Sequence, residues 1–171
     1  DIIDEKESGG DVEKLNGILC PGFINAHCHL ELSHMRGHIP KYTGLVDFVL
    51  KVVTERHLAN RQAGFAENEI FDVIENAEDE MLQNGIVAVG DICNNTLTIP
   101  QKSKGRLQYH NFIEARGFIP ALAEERFQKS VSILDEYRST LNAQRSTLSP
   151  HAPYSVSPGM FGMINDLPNN N

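Results

Sequence analysis

The chain has 171 residues, 40% of them hydrophobic and 22% charged, with a formal net charge of −8. That is the composition of one packed domain, and the acidic balance leaves no basic footprint for nucleic acid or an anionic membrane surface. No apolar run approaches the ~20 residues of a membrane span, residues 1–10 do not read as a signal peptide, and three cysteines (Cys20, Cys28, Cys93) form neither a disulfide framework nor a CxxC knuckle; a cytoplasmic protein with reduced thiols is expected.

In chain order, Ile18–Ala26 ("ILCPGFINA") is short, apolar and rich in β-formers, and predicts a buried strand. Leu45–His57 predicts a helix. Ala66–Asn84 predicts a second, because Ile70, Val73, Ile74, Ala77 and Met81 recur at helical spacing and Gly85 follows as a stop. Gly85–Cys93 ("GIVAVGDIC") and Arg106–Ala115 ("RLQYHNFIEA") are the next strands. A long helix over Leu122–Asn142 puts Phe127, Val131, Leu134 and Leu141 on one face, and Ser146–His151 is a fourth strand. Ser157-Pro158 then gives an N-cap with proline at the first helical position.

Apolar strands that do not alternate, separated by amphipathic helices, imply a parallel α/β sheet covered by helices. The chemistry-bearing residues His27, His29, Asp91, Glu114 and His151 fall where the strands run out, the end at which α/β folds build sites. Four strand–helix units are half a (β/α)8 barrel, which typically needs ~250 residues. As an open sheet they could stand alone, whereas as half a barrel they leave two apolar edges unpaired.

Four of the seven histidines crowd into Pro21–Pro40, "PGFINAHCHLELSHMRGHIP". His27 and His29, two apart at a strand end, project the same way and could share one divalent ion at ~2.0–2.1 Å; equally, one of them could be a core histidine bonded to backbone. Cys28 between them should face the other way. His34 and His38 are spaced for a helix, but Gly37 and Pro40 argue for a loop over the site mouth. His57 and His110 read as surface or helix-end residues. In "SPHAPYSVSP" two prolines bracket His151-Ala152, which is either a plain turn or a histidine held rigidly for recognition. Glu31, Asp91 and Glu114 could each hold a substrate group, orient a ligand histidine or simply sit at a loop mouth.

"PGFINAHCHLE" resembles the strand-1 signature of the amidohydrolase superfamily. Extended to "PGFINAHCHLELSHMRG" and taken with "SPHAPYSVSP", the chain is similar to its cytosine-deaminase and chlorohydrolase branch, above all to aminodeoxyfutalosine, adenosylhomocysteine and related purine-ring deaminases. The resemblance implies a (β/α)8 TIM-type barrel of which residues 18–171 supply the first four β/α units, with residues 1–17 the tail of a β-sandwich subdomain or a linker. It implies that His27 and His29 are two ligands of a single divalent ion, zinc in the first place and iron in the second, and that His151, Glu31 and Glu114 face the substrate. The family completes the metal site after strands 5 and 8 and takes its proton-shuttle glutamate and histidine from strands 5 and 6, so these are expected beyond Asn171.

The activity implied is hydrolytic deamination of an amino-substituted purine or nucleoside ring, a small-molecule substrate, with the 171 residues alone inactive. A homo-oligomer is compatible with this reading. Two alternatives remain: another reaction of the same family, such as chlorotriazine or imidazolone hydrolysis, or a non-catalytic α/β binding domain whose edges are capped by another chain.

Overall fold

A strand forms only as far as a neighbour pairs with it, and that rule sets the limits of each strand here. In a computed structural model describing residues 16–55, 67–141 and 145–168, β1 (Phe23–Cys28), β2 (Ile86–Cys93), β3 (Gln108–Ala115) and β4 (Arg145–Pro150) form one sheet in the order β1-β2-β3-β4. Every pairing is parallel. The fold is α/β, as expected, and the sheet is laid out as four consecutive strands of a TIM-type barrel. The helices are α1 (Leu45–Glu55), α2 (Glu67–Gln83), the short α3 (Ile99–Lys102), α4 (Ala123–Thr140) and α5 (Pro158–Asn165). Residues 1–15 and His57 lie outside the described residues.

The first strand is shorter at its start than the sequence suggested. Ile18 and Leu19 are 94% and 99% exposed and unpaired, and pairing begins with Phe23 opposite Ile86, the first residue of β2. Pro21 brings no amide proton to a ladder, and β2 offers no partner before Ile86. The stop after α2 is as expected: Gly85 turns the chain at φ +76°, which a residue without Cβ adopts freely, and its carbonyl accepts the Phe23 amide at 2.9 Å. At the start of α5 the Ser157 hydroxyl accepts the Met160 amide, the N-cap that Ser157-Pro158 predicts.

Two apolar clusters fill the face of the sheet beneath the helices. Ile70 and Ile74 of α2 pack with Val89, Tyr109, Leu107 and Leu30. Phe127, Leu134 and Tyr137 of α4 and Met160 of α5 pack on Ile113, Ala115 and Leu148. Each such buried side chain contributes roughly 1.5–3 kcal/mol over its exposed state. The opposite face is open, with Ile24 69% and Val87 51% exposed. None of α1 is buried, and Leu45, Val46, Phe48, Val49, Leu50 and Val53 all face outward.

Candidate active site

Unbroken alternation along β1 would aim both histidines at the helix side of the sheet. Ile24 and Ala26 lie on the open face, while Asn25 reaches the helix side and donates to Met81 Sδ at 3.7 Å. The pairing of β1 with β2 then slips between Asn25 and Cys28, a bulge that adds a residue and reverses the parity. Cys28 therefore faces the α2 side, and His27 and His29 both point into a cleft at the carboxyl end of the strands. Bulges commonly re-aim side chains next to sites in this way.

The cleft has a volume of about 370 Å³ and an apolar floor of Ile92 and Phe112. His27, His29, Glu114, Ser149, His151 and Tyr154 line it, so residues from β1, β3, β4 and the turn after β4 converge there. The His27 and His29 ring centres are 5.2 Å apart with their planes at 63°. Two imidazoles bound at ~2.0–2.1 Å to one tetrahedral ion would have centres about 5 Å apart. His29 Nδ1 is buried without a hydrogen-bond partner. Burial holds the His29 pKa below its ordinary value, with His27 acting in the same direction and Glu114 opposing, so its neutral, ligating form is favoured. The pair thus fits a soft-to-borderline divalent cation. Among the described residues there is no group of three or more His, Cys, Asp or Glu side chains that could hold a metal ion.

His151 is fixed from both sides. Its amide donates to the Ala115 carbonyl at 3.0 Å, and its Nδ1 lies 2.6 Å from Ser155 Oγ. Ser155 Oγ also donates to the Ala152 carbonyl at 3.0 Å, which holds the hydroxyl against the imidazole. Nε2 faces the cleft, 3.8 Å from Glu114 Oε1. Only 8% of the Glu114 side chain is exposed, and Arg116 Nη1 lies 4.0 Å from its other oxygen. Tyr154 packs edge-on to His151 with centres 5.9 Å apart.

The remaining candidates sit elsewhere. Glu31 is 2% exposed and does not line the cleft; its Oε2 accepts the Asn94 and Asn95 amides at 2.9 and 3.2 Å, tying the turn after β1 to the loop after β2. Asp91 is fully buried on the helix side. His34 and His38 are separated by the end of a 3-10 helix at Leu30–Met35; His34 is buried within that helix rather than over the mouth, and His38 lies exposed in the turn beyond it. His110 is not a surface residue but part of β3 on the open face, stacked on Phe112 at 4.1 Å and 3.0 Å from Thr147 Oγ1. Sequence reasoning passed over Lys102, Ser155 and Tyr154. Only Ser155 had a signal, its spacing of four from His151 within a proline-bracketed turn.

Comparison with known proteins places this geometry. Adenosine deaminase of Helicobacter pylori is 28% identical over 152 residues, covering 85% of this chain and 33% of that protein. The crystal structure of Helicobacter pylori aminofutalosine deaminase in complex with methylthio-coformycin superposes with a TM-score of 0.64 at 26% identity, over 82% of this chain and 32% of that one. Atrazine chlorohydrolase of Arthrobacter aurescens, complexed with zinc, shares the fold with a TM-score of 0.62 at 22% identity, over 82% and 36% of the two chains. The chain thus spans about a third of the length of the curated relatives it matches. The family-wide sequence profile matches residues 18–167, and the chain belongs to the amidohydrolase family.

Proposed function

We propose that this chain carries part of the active site of a hydrolytic deaminase acting on an amino-substituted purine or related nucleoside ring. The observation that carries the reading is the convergence of His27, His29, Glu114 and His151 on one cleft at the carboxyl end of a parallel sheet. The membership in the amidohydrolase family and the deaminase relatives support the reaction class.

His27 and His29 would hold one divalent ion, zinc in the first place and iron in the second. When bound, that ion supplies Lewis-acid chemistry, lowering the pKa of a water from ~15.7 toward ~7. The chain's own residues bind and orient the ring. His151 would offer Nε2 to a ring N–H or an exocyclic amino group, with Nδ1 turned to Ser155 Oγ. Glu114 offers a second acceptor 3.8 Å from that nitrogen. Phe112 and Tyr154 provide flat apolar surface for a heteroaromatic ring. Glu31 would act at a distance from the ring, holding the loop after β2 through the Asn94 and Asn95 amides. A planar heteroaromatic ligand with N–H donors suits this set, and the deaminase relatives favour deamination over chlorotriazine hydrolysis.

The test is ammonia release by the full-length, metal-replete protein on adenosine-type nucleosides, guanine and cytosine. Turnover of at least one purine substrate is expected. Silence across that panel, with turnover of a chlorotriazine or an imidazolone, would replace the reading with another reaction of the family.

A further inference from the structure

A continuous run of buried polar contacts crosses β2, β3 and β4 on the helix side of the sheet and ends in the turn after β1, beside His29. The Leu30 amide, the first backbone donor after His29, donates to Asp91 Oδ1 at 2.8 Å. Asp91 Oδ2 takes Lys102 Nζ at 2.6 Å, with both side chains wholly excluded from solvent. Lys102 Nζ also donates to Asn111 Oδ1 at 2.8 Å. Asn111 Nδ2 in turn reaches Ser146 Oγ at 3.2 Å and the Arg145 carbonyl at 3.3 Å. The members come from the turn after β1, from β2, α3, β3 and β4 in succession. Asp91 lies directly opposite Cys28 in the register, between the two histidines, where the bulge has just broken the regular ladder.

A buried ion pair is a poor source of net stability, because desolvation offsets most of the attraction. Its placement is therefore better read by what it holds. The Tyr109 and Tyr137 rings flank Lys102 Nζ at 5.0 and 5.1 Å, so the ammonium has little room to shift. A carboxylate clamped by that ammonium becomes a fixed acceptor for one particular amide, the one that sets the chain direction leaving His29.

We propose that Asp91 is a positioning residue for the metal centre: its Oδ1, by holding the Leu30 amide, fixes the backbone after His29 so that the His27 and His29 imidazoles are preset for an ion before one binds. The proposal rests on the reading that His27 and His29 are ligands. Groups that orient ligands commonly change metal affinity 10–100-fold when removed.

Two double variants of the full-length protein separate this role from a general contribution to packing. Asp91→Asn with Lys102→Met removes the ion pair but keeps an oxygen for the Leu30 amide. Asp91→Leu with Lys102→Met removes the ion pair and that oxygen. Zinc affinity, measured by competition with a chromophoric chelator, should stay within about threefold of wild type in the first variant and fall about 10–100-fold in the second. Equal affinities in the two variants, whether retained or lost, would overturn the proposal. His29→Ala serves as the control: if it binds zinc as wild type does, the ligand reading itself fails. Amide exchange at Leu30 in metal-free wild-type protein needs no variant and decides the matter if either double variant does not fold. Protection before zinc is added is expected, and protection gained only with zinc would sink the idea.

Discussion

His151 shows how a few atoms assign a role. Its Nδ1 lies 2.6 Å from Ser155 Oγ, which leaves Nε2 facing Glu114 and the cleft. Replacing His151 with Gln in the full-length protein should weaken kcat/KM by about 10–100-fold, the loss of one or two good hydrogen bonds. The loss should fall mainly on KM if the residue orients the ring. An unchanged KM with a collapsed kcat would instead make His151 a proton-transfer group. At Cys93 the environment acts on the thiol: burial first, then the Asp91 carboxylate, push its pKa from 9.0 up to about 12, with Lys102 opposing. The folded chain keeps this proton between those values while the unfolded chain gives it up. The stability it contributes is thus complete below pH 9 and lost as the pH rises toward 12. Thermal midpoints measured from pH 8 to 11 should fall above pH 9 and fall less steeply in Cys93→Ala; parallel curves would contradict the assignment.

At the scale of elements, the joint between β1 and β2 matters most. A Cβ on Gly90 would lie 2.7 Å from the Ala26 carbonyl oxygen and 3.3 Å from the Phe112 ring, so Gly90→Ala must push β1 away from β2 just before the histidines. Overpacking of this kind costs about 1–3 kcal/mol, and a urea midpoint lowered to match, together with weakened zinc binding, is expected. An unchanged midpoint would mean that the joint yields without cost. The strand–helix order, the stop at Gly85 and the cap at Ser157 could be read in advance, because each depends on residues close together in sequence. The bulge could not, since a register slip is a property of two strands paired together. The start of β1 at Phe23 rather than Ile18 likewise depends on where β2 begins. Lys102, in "IPQKSKGR", has the sequence context of a surface lysine; only the fold brings it under Asp91 and Asn111. The His27–His29 pair and the turn at His151 were legible as candidates, but their meeting in one cleft depends on the strand order.

On the scale of the whole molecule, a covered face and an open face divide the labour. The helix side holds the two apolar clusters and the buried polar run, and it sets the strands in place. The open side carries the cleft residues at its carboxyl end and leaves Phe23, Ile24 and Val87 exposed. Among the described residues no helix is long and apolar enough to cross a membrane. The central claim is that β1 delivers two imidazoles to one catalytic ion. The most direct test is the metal content of the full-length protein beside its His27→Ala, His29→Ala double variant, with both shown to be folded by circular dichroism. About one divalent ion per chain is expected in the wild type, and loss of that ion in the variant. Equal metal content in the two folded proteins would contradict it.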